Sequence, residues 1–146
     1  MTFIERARDL TTILGWRPLV ISKEYKALYH LACVFAGNFL TTLAADALRI
    51  LQEATSPGVD VSPLMPMIRS VLKEIEQGSP RSAFTGPVAR GDASTIDSHL
   101  DQLNKTLPEL IPVYSDLVRR SLSLATISDS KRTEILTALT RMDKGA

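Results

Sequence analysis

The sequence has little of what several common kinds of chemistry require. Cysteine occurs once in 146 residues, at Cys33, which excludes an internal disulfide. With no CxxC pair and histidine only at positions 30 and 99, a zinc site has no donor set. Charge of one sign is not in excess: Lys+Arg 17 against Asp+Glu 16 gives a formal +1, and no electrostatic case for nucleic acid or an anionic membrane follows. The chain contains no GxGxxG, no Gly-Lys-Ser/Thr phosphate loop, and no Ser/His/Asp or paired-carboxylate arrangement. Its start, MTFIERARDL, is charged where a signal peptide is apolar. The longest apolar run, 27–40, is interrupted by His30, Gly37 and Asn38 and falls short of the ~20 residues of a spanning helix. A soluble cytoplasmic protein is expected, with no nucleic-acid or membrane partner.

What is present is helical patterning sufficient for one core. Thr2 with Glu5 forms a capping box and Gly15 a stop, so 2–14 reads as a helix. The β-branched stretch in WRPLVIS reads as a strand at 19–22. No second strand follows, and a lone strand leaves its backbone groups unpaired unless something outside the chain pairs with it. From 23 to about 55 the pattern is one long helix. Thr42, Asp46, Arg49 and Glu53 share a polar face of its second half, and Leu40, Leu43, Ala47, Ile50 and Leu51 an apolar one. Its first half, ALYHLACVFAGNFL, is apolar nearly all round, which predicts burial inside the domain or against another subunit, with Cys33 as inert core.

Ser62-Pro63 opens a helix to about 77 that Gly78 stops. GSPRSAFTGPVARGDAS follows as a long loop. Ser94 with Asp97 resembles a capping box for a helix through 104, and Pro108 opens another to about 125 that Pro112 bends or delays. Ser128 or Asp129 caps a last helix to about 142. The basic pairs Arg119-Arg120 and Lys131-Arg132 read as solvated faces or dipole partners near helix ends.

Polar residues within the apolar half-helix and the loop are the candidates for chemistry. His30 and Asn38 are eight positions apart, which on an ideal helix places them about 12 Å along the axis and about 80° around it. They are either core polar groups satisfied locally, or a proton donor and an orienting amide facing a ligand. In the loop, the path through Gly86, Pro87 and Gly91 exposes amides that could meet an anion, and Arg90 could clamp a carboxylate or phosphate. Against this, Arg90 and Asp92 could pair locally while Asp92 caps the next helix. His99 sits behind the loop or packs at the surface. The Arg-Gly-Asp triplet matches integrin-binding loops in letters, a poor fit to a cytoplasmic chain.

Two stretches together resemble a known family. YHLACVFAGNFL (29–40) and AFTGPVARGDASTIDSHL (83–100) are similar to the signature segments of a helical domain of unknown function that follows a Rossmann-like domain. The family's forms are close to YHxAAxxxSNxL and ALTGPxxRGDxxTVxxHL, and the resemblance runs from about residue 2 to the C-terminus. Gly37 and Phe84 are minor departures. Such proteins look like distant relatives of pyrroline-5-carboxylate reductase and 6-phosphogluconate dehydrogenase, in which an NAD(P)-binding domain precedes a helical domain that dimerises and closes the active site.

The resemblance implies an all-α, 6-phosphogluconate-dehydrogenase C-terminal-like domain at 23–146, with 1–22 as a residual helix-strand unit from the end of a Rossmann-like domain. This would make the chain a truncated or isolated C-terminal part. It implies a substrate-binding and dimerisation role in an NAD(P)-dependent oxidoreductase, with NAD(P) bound only with the missing domain and none by this chain alone, which by itself would be inactive. Carried over by position, His30 and Asn38 are catalytic, and Thr85, Gly86, Pro87, Arg90, Gly91, Asp92 and His99 bind a small anionic substrate. Tyr29 matches as well. The hydroxyacid-dehydrogenase relatives place a catalytic lysine four residues before their Asn; Val34 stands there, so their chemistry does not transfer with its lysine. The alternative readings are a non-catalytic helical homodimer and a small anionic-ligand-binding module.

Overall fold

A computed structural model describes residues 2–15 and 17–143. Among them every regular element is helical, so the chain is all-α. It divides into two compact units, Met1–Leu43 and Ala44–Ala146.

The first unit holds α1 (Phe3–Ile13), a 3₁₀ turn at Lys23–Tyr25, α2 (Lys26–Ala36) and the start of α3 (Asn38–Ala54). The capping box forms as the sequence predicts: the Glu5 amide donates to the Thr2 hydroxyl at 3.3 Å and the Thr2 amide to the Glu5 carboxylate at 2.6 Å. Gly15, with φ 68°, ends α1 in the left-handed region. The strand expected at 19–22 is not formed; residues 17–22 carry no regular structure. A ladder needs a second strand, and none exists among the described residues. The long helix expected from 23 to 55 forms as α2 and α3, which meet at Gly37; its φ of −113° distorts the turn, while its amide still donates to the Cys33 carbonyl at 2.9 Å and its carbonyl accepts from the Thr41 amide at 3.0 Å.

Of the two ways in which the apolar half-helix is expected to be buried, inside the domain or against another subunit, the first does not occur. No described residue of the first unit is buried, Cys33 included. Leu28 is 62% exposed and Phe35 58%, the latter edge-on to Phe39 with ring centroids 4.8 Å apart. Helical periodicity reports how apolar a face is; whether anything covers it is decided by tertiary packing.

The second unit carries the rest of α3, then α4 (Met65–Gln77), the single turn α5 (Pro87–Arg90), α6 (Ala93–Thr106), α7 (Ile111–Ser121) and α8 (Asp129–Asp143). Short 3₁₀ turns at Ser62–Leu64 and Pro108–Leu110 lead into α4 and α7. Pro112 lies in the first turn of α7, so it delays the helix rather than bending it. Ser62 is not a side-chain cap: its amide instead donates to the Asp60 carboxylate at 2.9 Å, within the turn. Ser128 does cap α8, its hydroxyl accepting from the Lys131 amide at 3.4 Å.

The core is drawn from residues 88–139. Val88, Ile96, Leu100, Val118, Ile135 and Leu139 pack together from α5, α6, α7 and α8, with Ile96, Leu100, Ile135 and Leu139 removed from solvent completely. A smaller cluster of Leu103, Leu107 and Leu110 adjoins Tyr114. Of the expected dipole partners Arg132 acts through a hydrogen bond, and Arg81, outside those pairs, does the same. Arg132 donates to the Leu122 carbonyl at 3.2 Å and Arg81 to the Ser123 carbonyl at 2.8 Å, so two carbonyls just past the end of α7 are satisfied by guanidinium groups.

Candidate functional site

The segment expected to be a long loop contains a built corner. Gly86 has φ 93° and ψ −169°, a conformation open to glycine almost alone, and it turns the chain into α5 with Pro87 in the first turn. One turn later the helix ends in a Schellman motif: the Asp92 amide donates to the Pro87 carbonyl at 2.9 Å and the Gly91 amide to the Val88 carbonyl at 3.1 Å. Gly91, at φ 68°, is the left-handed residue this motif requires.

Asp92 then caps α6. Its carboxylate accepts from the Thr95 amide at 3.1 Å, the Thr95 hydroxyl at 2.7 Å and the Ser94 hydroxyl at 3.0 Å. The capping box expected from Ser94 and Asp97 is therefore displaced by two residues. Asp97 forms an ion pair with Arg141 instead. The hydrogen bonds from Thr95 hold the Asp92 carboxyl below the usual carboxylate range, with Ser94 and then Arg90 adding to the effect.

Gly86, Pro87, Gly91 and Asp92 thus each have a backbone task in one helix-to-helix corner. The two motif side chains without such a task are Thr85 and Arg90. Arg90 meets Asp92 only at 3.9 Å and is 65% exposed, so its guanidinium projects from the corner into solvent. The amides of Gly91 and Asp92 are spent on helix carbonyls and do not form an anion cradle.

His99 lies two turns into α6. Its Nδ1 is 2.9 Å from the Tyr114 hydroxyl on α7, and the two rings meet edge to face with centroids 5.9 Å apart. Burial pushes the Tyr114 hydroxyl up to about 12, so it stays protonated and available as a hydrogen-bond donor. The pair lines a cavity of about 440 Å³ whose other walls include Ile50, Glu53, Leu103 and Leu107. An ion pair between Arg49 and Glu109 ties α3 to the turn ahead of α7 beside it.

The structure therefore brings together part of the expected set. Thr85, Gly86, Pro87, Arg90, Gly91 and Asp92 form the corner; His99 faces the cavity. His30 on α2 and Asn38 at the start of α3 are both exposed and belong to the first unit. The distorted turn at Gly37 falls between them. Tyr114 and Glu53 were not legible as site residues. Each carries an unremarkable helical pattern, and only the packing of three helices puts them beside His99. Among the described residues no cluster of His, Cys, Asp and Glu could hold a metal ion.

A protein family described as "Domain of unknown function (DUF2520)" matches residues 2–121. The chain belongs to that family. No curated protein and no solved structure matches it. Both resemblance segments lie inside the DUF2520 match, which ends at Ser121 rather than at the C-terminus. The core does not stop there: Leu122, Ala125, Ile135, Ala138 and Leu139 complete it from beyond the matched segment.

Proposed function

We propose that this chain is the substrate-binding and self-associating helical part of an NAD(P)-dependent oxidoreductase, with a 6-phosphogluconate-dehydrogenase C-terminal-like helical arrangement. The observation that carries the reading is the first unit. It has no buried residue among those described, yet displays Leu28, Leu31, Phe35 and Phe39. Apolar surface on that scale calls for a partner surface, and a second copy of the chain supplies one of the same chemistry. In this reading His30 is the proton donor, Asn38 orients the substrate and Arg90 anchors an anionic group.

The dinucleotide itself does not fit this chain. Its pyrophosphate needs a glycine-rich turn from a strand into a helix. Here the sequence has no GxGxxG, and the glycine corner at 86–91 joins helix to helix. NAD(P) would have to be held by another domain.

A dilution series by sedimentation velocity tests the association. The expected result is a dimer that Leu31→Asp with Phe35→Asp converts to a folded monomer. A monomer at every concentration overturns the reading. The span Lys23–Ala54 holds an 18-residue window of mean hydropathy 1.5, long and apolar enough by length and composition alone to cross a membrane. Co-sedimentation of the parent chain with phosphatidylcholine vesicles, abolished by the same double substitution, would assign the apolar face to lipid instead.

A further inference from the structure

The cavity beside His99 makes a separate case, independent of the association and of Arg90. We infer that it binds a small ammonium ligand with a compact apolar body, such as an arylalkylamine. Its volume of about 440 Å³ lies within the range of small-molecule sites, which run from roughly 300 to 1,000 Å³. Ile50, Leu103 and Leu107 supply apolar wall from α3, α6 and the residue after α6.

The polar lining decides the class of ligand. Glu53 is the lining carboxylate, and among the described residues it has neither an ion pair nor a hydrogen bond to its side chain. No Lys or Arg lines the cavity, since the nearby Arg49 is committed to Glu109 and Asp46. An anion placed there would face Glu53 with no cation to offset it. A neutral apolar occupant would gain nothing from Glu53, which is exposed and stays hydrated beside it. An ammonium head satisfies Glu53 through a charge-assisted hydrogen bond, and the aromatic Tyr114 in the same lining is a surface that cations favour. With Nδ1 of His99 engaged by Tyr114, its Nε2 remains for a second polar contact. The Arg49–Glu109 ion pair and the His99–Tyr114 hydrogen bond link the elements around the cavity to one another.

Isothermal titration of the full chain with three matched probes tests this: 2-phenylethylamine, 2-phenylethanol and 3-phenylpropionate, which share a body and differ in head charge. The amine is expected to bind saturably at one per chain, with the alcohol and the carboxylate each weaker by about tenfold or more, the worth of a hydrogen bond to a charged group. Glu53→Gln should bring the amine down to the affinity of the alcohol. Ala54→Trp, at an exposed position at the end of α3, should fill the cavity and abolish binding without loss of helical circular dichroism. Equal binding of all three probes, an unchanged amine affinity in both variants, or no saturable binding of the amine would each overturn the inference.

Discussion

Lys131 lies across Gly91. Its Nζ donates to the Arg90 carbonyl at 2.9 Å, and its side-chain carbons fill the space a Cβ at position 91 would need, with Cδ at 2.5 Å and Cβ at 2.9 Å from that point. The first residue of the RGD triplet is therefore held by its carbonyl and the second by sterics, both from α8. Two independent costs follow for Gly91→Ala: a left-handed φ, about 1–2 kcal/mol, and displacement of Lys131. Gly86→Ala carries only a backbone cost, about 1–3 kcal/mol, because nothing stands within 4 Å of its would-be Cβ. Urea unfolding should show Lys131→Ala partly rescuing Gly91→Ala and leaving Gly86→Ala unrescued. Equal behaviour of the two glycines would refute the contact.

Asp92 makes the corner sensitive to acid. Its carboxyl is held low in the folded chain by Thr95 and Ser94, so the folded state binds its proton less readily than the unfolded state does. The sign is that of a depressed acid: the contribution is present above the unfolded carboxylate value near 3.9 and is lost as pH falls through the lower folded value. Asp92→Asn keeps a cap that can accept from Thr95 but removes the titration. The urea midpoint of the variant should fall less than that of the parent as pH is lowered below about 4. Parallel curves would mean that the cap carries no charge-dependent stability.

At the other end of the pH scale, Tyr114 is the informative group. Burial raises its ionisation to about 12, whereas an ordinary tyrosine ionises near 10. A raised acid stabilises the fold below the unfolded value and loses that contribution as pH rises from about 10 through about 12. Ultraviolet titration of the three tyrosines, Tyr25, Tyr29 and Tyr114, should show a late step that Tyr114→Phe deletes. Tyr29 is also raised, chiefly by its hydrogen bond with Cys33 one turn on, so Cys33→Ala should move an earlier part of the curve. If Tyr114→Phe leaves the late step in place, the hydroxyl is not buried against His99.

Local chemistry explains which parts of this fold were legible. The Thr2–Glu5 box, the Gly15 and Gly78 stops, the delayed start at Pro112 and the Ser128 cap all follow from residues within one turn of each other. The structure returns each of them. The cap of α6 stood open between Ser94 with Asp97 and Asp92 itself, and the structure takes Asp92. Ser94 and Asp92 are both good caps two residues apart, and the left-handed Gly91 selects Asp92 by setting the direction of the chain. The strand at 19–22 failed because β-branched composition supplies no partner. His99 was singled out by its motif, but Tyr114, fifteen residues on and on another helix, had no signal that paired the two. The apolar run at 27–40 was legible as apolar and illegible as uncovered, since coverage is decided by packing partners that the run does not encode.

The placement of the core gives the sharpest contrast to test. Leu139 is fully buried on α8, outside the segment that matches the family, while Leu28 on α2 is 62% exposed inside it. Leu139→Ala should cost about 2–5 kcal/mol, a transfer term plus a cavity, at any protein concentration. Leu28→Ala should cost little for a monomer. If the chain self-associates through α2, the loss from Leu28→Ala becomes dependent on concentration, because a partner that binds only the folded chain stabilises it by mass action. Thermal unfolding of both variants over a wide dilution range separates the cases. A concentration-independent loss at Leu28 as large as that at Leu139 would place α2 inside a core of this chain and remove its face from the account of association.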